Sequence, residues 1–163
     1  MKRTTEVSAA VLAFVLAFGV VCEVWAAISI SGTGAWTQTI GANDLTGGAG
    51  TNLNSSYESA ADAYSITISG TTGPSDTWRV DVKKVDGTWN PNLLLSVKRT
   101  SSGSGGSVSG GQAYQQLGNT YAAFFSGSDD VSGISVQLKL TGVSITIPPG
   151  TYTNTVYYTV VDN

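Results

Sequence analysis

The chain has no histidine, one cysteine (Cys22) and one methionine (Met1) in 163 residues. Without imidazole there is no His general base, no Ser-His-Asp triad and no His-ligated zinc. One cysteine makes neither an internal disulfide nor a thiolate cluster. Charge is scarce as well: lysine and arginine total 8, aspartate and glutamate 11, and the net charge is −3. That balance offers little to a phosphate backbone, so nucleic acid is not an expected partner. What is present is 41% hydrophobic residues and 20 glycines. This is enough apolar material for a core and too little charge for a disordered polyelectrolyte.

Residues 1–26 read as a secretory signal peptide. Lys2 and Arg3 give a positive start, Val7 to Cys22 run uncharged and largely apolar, and the cleavage-type triplet Val24-Trp25-Ala26 precedes small Ala27. The run falls short of the ~20 residues that a comfortable membrane span needs, and Glu23 closes it. A retained anchor and a lipid on Cys22 are the competing readings, although Val21 is bulky where lipid-attachment sites carry a small residue. Cleavage after Ala26 leaves 137 residues without Cys, Met or His, about the size of one domain. The expected organisation is a signal peptide at 1–26, an N-terminal strand at 27–40 and a β-sandwich domain at 41–163. The expected location is extracellular or at the cell surface.

In the mature chain, Ser and Thr make up 37 residues and Gly 19, a mixture that favours strands and turns. Apolar residues recur with period 2 rather than 3.6. Tyr64, Ile66 and Ile68 form one such row, and Trp78, Val80 and Val82 another. Further rows are Leu93, Leu95 and Val97; Ile134, Val136, Leu138 and Leu140; Val143, Ile145 and Ile147; and Tyr152, Val156, Tyr158 and Val160. Turn formers at 70–75, 86–87, 126–130 and 148–150 separate the rows. The Ser/Gly stretch 101–111 reads as a mobile loop. Short strands at this spacing indicate a sandwich or a barrel; the expected fold class is all-β, a single Ig-like sandwich of antiparallel strands with one wet face per sheet.

Few residues suggest chemistry. Asp129-Asp130 could offer oxygens to Ca²⁺, but calcium takes six or more, and a polar turn accounts for the pair. Glu58, the mature chain's one glutamate, lies in a segment able to form a single helical turn. No second carboxylate is nominated to face it across a cleft, as glycoside hydrolysis requires. There is no Gly-x-Ser-x-Gly elbow and no phosphate loop. The expectation is a protein that is not an enzyme and needs no cofactor or metal. Among the aromatics, Trp78 reads as core by its register, whereas Trp89, in Gly-Thr-Trp-Asn-Pro, is the candidate ligand contact for a polysaccharide.

The most informative segment is Ala27 to Ile40. Ile28, Ile30, Gly32, Gly34, Trp36 and Ile40 alternate with Ala27, Ser29, Ser31, Thr33, Ala35, Thr37 and Thr39 in one register, with Gln38 the exception. Fully extended it would span ~46 Å, over twice an ordinary strand. Either the two glycines kink it into short strands within its own domain, or it fills a vacant strand position in a neighbouring copy. In the second case Ile28, Ile30, Trp36 and Ile40 would occupy pockets, and Gly32 and Gly34 would pass where the neighbour's core approaches the backbone.

The C-terminal stretch Gly142-Val-Ser-Ile-Thr-Ile-Pro-Pro-Gly150-Thr-Tyr152-Thr-Asn-Thr-Val156-Tyr-Tyr-Thr-Val160 resembles the closing strands of the spore coat protein U domain. That family includes subunits of archaic chaperone–usher pili. The likeness covers about twenty residues well and the remainder in outline; the cysteine pair usual in that family is missing, and Val161-Asp162-Asn163 run past its common end. The resemblance implies an incomplete Ig-like sandwich exported by Sec, completed by a donor strand and polymerised with the help of a periplasmic chaperone and usher. It points to a structural subunit of a pilus-like filament or surface coat, with a free-standing carbohydrate-binding or adhesive sandwich as the alternative.

Overall fold

A computed structural model describes residues 28–163; the expected signal peptide at 1–26, with Cys22, lies outside the described residues. The described chain holds nine strands: β1 Ser29–Gly34, β2 Ser56–Glu58, β3 Tyr64–Ser69, β4 Thr77–Asp86, β5 Leu94–Arg99, β6 Ser104–Gly110, β7 Gln115–Gln116, β8 Ala122–Thr141 and β9 Asn154–Asp162. Every pairing is antiparallel. A short 3₁₀ turn at Ala42–Asp44 is the one helical element among the described residues. The all-β antiparallel class is as the periodicity implies. The strands join in one sheet that curls into a nearly closed barrel and leaves an unsealed seam between edge strands.

Strand β8 organises the sheet. Along one edge it pairs with β4, then β3, then β2; along the other it pairs with β6, then β5. One strand can serve five partners because it bends. Asp129, with φ 64°, and Gly133, with φ 73°, fall where the β6 and β3 registers slip. Such bulges turn a strand without ending it. The core lies inside the curl and includes Ile66, Ile68, Trp78, Val80, Val82, Val97, Phe124, Phe125, Val131, Ile134 and Val136. Trp78 is completely buried, donates its indole N–H to the Asp129 carbonyl at 2.9 Å, and meets Phe125 edge-on at 6.2 Å. Its register with Val80 and Val82 predicts that burial.

Four local expectations are corrected. Residues 126–130 are part of β8 rather than a turn, because the bulge absorbs their turn chemistry. Stretch 101–111 contains strand β6 rather than a loop. Its serine hydroxyls pair with those of β8, Ser104 with Ser132 at 3.1 Å, Ser107 with Ser128 at 2.9 Å and Ser109 with Ser126 at 3.3 Å. Val143 to Ile147 alternate like a strand but find no edge to join. They fold on themselves, the Ile147 N–H donating to the Ser144 carbonyl, ahead of Pro148-Pro149. The segment around Glu58 is strand β2 against β8, with Glu58 3.2 Å from Lys139, rather than a helical turn.

Candidate functional site: an unsealed seam and the cavity at its end

Strand β1 pairs with β3, Ile30 opposite Ile68 and Ser31 opposite Thr67, and the Ser29 and Ser69 hydroxyls lie 2.9 Å apart. Ile28 and Ile30 are half-buried against the core, while Ser29, Ser31 and Thr33 face outward. Gly32 lies under the Tyr64 ring, and a β-carbon there would collide with it. Gly34 sits at φ 137°, a conformation that L side chains rarely adopt, and its absent side chain would strike the Ala63 carbonyl. The ladder stops there. Residues 35–40 have no strand pairing, so the fourteen-residue alternation resolves into a six-residue strand and an irregular segment. Trp36 and Ile40 remain half-buried, with Trp36 packed against the core.

β1 is hydrogen-bonded on the β3 side alone. Across its free edge stands β9, itself bonded only to β4. The gap between them is a cavity of about 190 Å³ lined by Ile30, Ser31, Gly32, Tyr64, Ile66, Val156, Tyr157 and Tyr158. Aromatic stacking bridges it: the Tyr64 and Tyr158 rings lie 5.3 Å apart, 20° from parallel. Burial, and secondarily the neighbouring Tyr64 phenol, push the Tyr158 hydroxyl well above the ordinary tyrosine range.

The seam opens into a second cavity of about 1160 Å³, with Tyr64, Val156 and Tyr158 lining both. Its strand walls carry Gly34, Leu95, Leu138, Leu140 and Val156, and the non-strand segments 35–41 and 143–153 complete it. Trp89 lines this cavity. It is half-buried, donates its indole N–H to the Leu93 carbonyl at 2.9 Å, and lies beneath the Lys84 ammonium at 5.5 Å. Thus Trp36, Ile40, Gly34 and Trp89 gather around one cavity, and Ile30 and Gly32 around the seam; Ile28 is not among the lining residues of either.

The aspartate pair is spent on structure. Asp130 accepts from the Thr71 hydroxyl at 2.7 Å and the Thr71 N–H at 3.0 Å, bonds that hold its carboxyl below the usual range. Among the described residues no three Cys, Asp or Glu side chains gather as a metal site would require.

Sequence reasoning did not identify Tyr64, Val156 and Tyr158 as seam residues. The signal was their place in two alternating rows, but which edges stay unpaired depends on topology. Comparison with protein-family models, curated proteins and solved structures finds no match for this chain.

Proposed function

We propose that this chain is a secreted, non-enzymatic structural subunit that assembles into a pilus-like filament or surface coat by β-strand exchange. In this scheme β1 leaves its own β3, and segment 28–40 of another copy enters between β3 and β9. The single observation that carries the reading is that β1 is bonded on one edge only, beside a second open edge.

Within one molecule the ladder must end at Gly34 so that the chain can reach the turn at Ala42–Asp44. A strand arriving from a neighbour has no such return to make. It could run on past Gly34 in the register that its sequence already carries, bonding to β3 and β9 together. Unpaired strand edges invite this kind of addition. Each further main-chain hydrogen bond is worth ~1 kcal/mol net, so a second paired edge favours exchange by several kcal/mol. Ile28, Ile30, Trp36 and Ile40 would set the register, and Gly32 would again pass beneath a Tyr64.

The completed barrel-like sheet would then correspond to the filled Ig-like sandwich implied by the resemblance to spore coat protein U domains. A periplasmic chaperone and usher are the helpers in keeping with that route. Secreted protein electrophoresed in SDS without boiling should give a ladder that collapses on boiling, and deletion of residues 27–40 should abolish it. A single band from the intact chain, or a ladder that survives the deletion, would overturn the reading.

A further inference from the structure

The larger cavity carries an inference that does not depend on assembly. This open cavity of about 1160 Å³ is somewhat larger than the ~300–1,000 Å³ usual for small-molecule sites. Its wall is dominated by carbon: Trp36, Trp89, Tyr64, Leu138, Leu140 and Ile145 face it, and none of its lining residues is charged.

Some polar groups of the wall are engaged with neighbouring groups, while the buried Asn154 Oδ1, also in the wall, has no hydrogen-bond partner. Trp89 N–H donates to the Leu93 carbonyl, the Tyr152 hydroxyl donates to the Pro148 carbonyl at 2.6 Å, and the Gln38 amide donates to the Thr39 carbonyl at 3.0 Å. The Thr153 hydroxyl accepts from the Thr88 N–H at 3.1 Å. Lys84, whose ammonium lies 5.5 Å from the Trp89 ring, is engaged with Asp86 and does not line the cavity. A carboxylate or phosphate headgroup would therefore be desolvated without a cationic partner, at a cost that an uncharged molecule avoids.

We infer that this cavity binds a neutral lipid: an uncharged, chain-bearing molecule of the long-chain alcohol or acylglycerol class. The aromatic faces supply contact area and the threonine-rich segments 37–39 and 151–155 lie beside the polar end.

Two dyes with one ring system test the charge argument on the secreted monomer isolated by gel filtration. N-phenyl-1-naphthylamine is neutral, and 8-anilino-1-naphthalenesulfonate adds a sulfonate. The neutral dye should brighten on binding, quench tryptophan emission and be displaced by 1-hexadecanol; the sulfonate should bind at least tenfold more weakly. Ile145, 58% exposed at the cavity, is a safe site for charge. Ile145→Arg should weaken the neutral dye and strengthen the sulfonate roughly tenfold, the scale of one charge-assisted hydrogen bond. Absence of neutral-dye binding, equal or tighter binding of the sulfonate to the unmutated protein, or indifference to Ile145→Arg would each overturn the inference. Because the readout is taken on monomer, failure here leaves strand exchange standing, and the reverse holds as well.

Discussion

Tyr64 and Tyr158 stack at 5.3 Å, joining β3 to β9, where β9 and the intervening β1 exchange no backbone hydrogen bond. Aromatic contact therefore does at the seam what main-chain pairing does around the rest of the curl. Stacking holds two edges near one another without satisfying either edge's amides and carbonyls. The seam is closed by side chains and open to backbone.

Removal of one ring should show how much that contact holds. Tyr158→Ala is expected to cost about 3 kcal/mol, the scale for deleting an aromatic side chain from a packed site. Urea unfolding of the monomer measures it. Tyr157→Ala, at the next position of β9 and 46% exposed, should cost clearly less, about 1 kcal/mol or below. Equal losses would mean that the stack contributes nothing particular.

Strand β6 should behave as sheet. The amides of Ser104–Gly110 that pair with β8 are expected to exchange with solvent slowly, unlike those of a flexible Ser/Gly linker. Gly106 lies against the Ser128 carbonyl with no room for a β-carbon, so Gly106→Val should destabilise the protein by about 1–3 kcal/mol, as overpacking does. Hydrogen–deuterium exchange and urea titration check both outcomes. Fast exchange throughout 104–110 would return the segment to a loop.

Alkali should weaken the fold through its phenols. Burial, and then the neighbouring Glu58 carboxylate, push the Tyr114 hydroxyl up to about 12 from 10.0; Tyr158 is raised too. A raised folded pKa means that the unfolded chain loses its proton first. The stability due to Tyr114 is thus intact below pH 10.0 and disappears as pH climbs to about 12. Melting temperature followed across that window should fall. Tyr114→Phe, which has no proton to lose, should reduce the fall.

Much of the strand framework was legible because period 2 reports a half-buried sheet directly. Tyr64-Ile66-Ile68 and Trp78-Val80-Val82 alternate as β3 and β4 do, and Ile134 to Leu140 do so within β8. β6 was invisible to that signal, since its stability comes from serine pairs and from glycines that let it approach β8. Val143 to Ile147 carry the opposite lesson: alternation makes a strand only where an edge is free to receive it. Half of the candidate site was legible, in the register of residues 28–40. The facing edge was not, because Val156 and Tyr158 read like any inward row until the topology leaves β9 with one partner.

The most direct test of strand exchange uses the absence of cysteine from residues 28–163. Ser31 of β1 lies opposite Thr67 of β3, so Ser31→Cys combined with Thr67→Cys places a disulfide across that pair. If β1 is exchanged, oxidised assemblies boiled without reductant should keep a covalent ladder, because each bond joins two copies. A lone monomer band carrying an internal disulfide, obtained from the same assembled material, would contradict exchange.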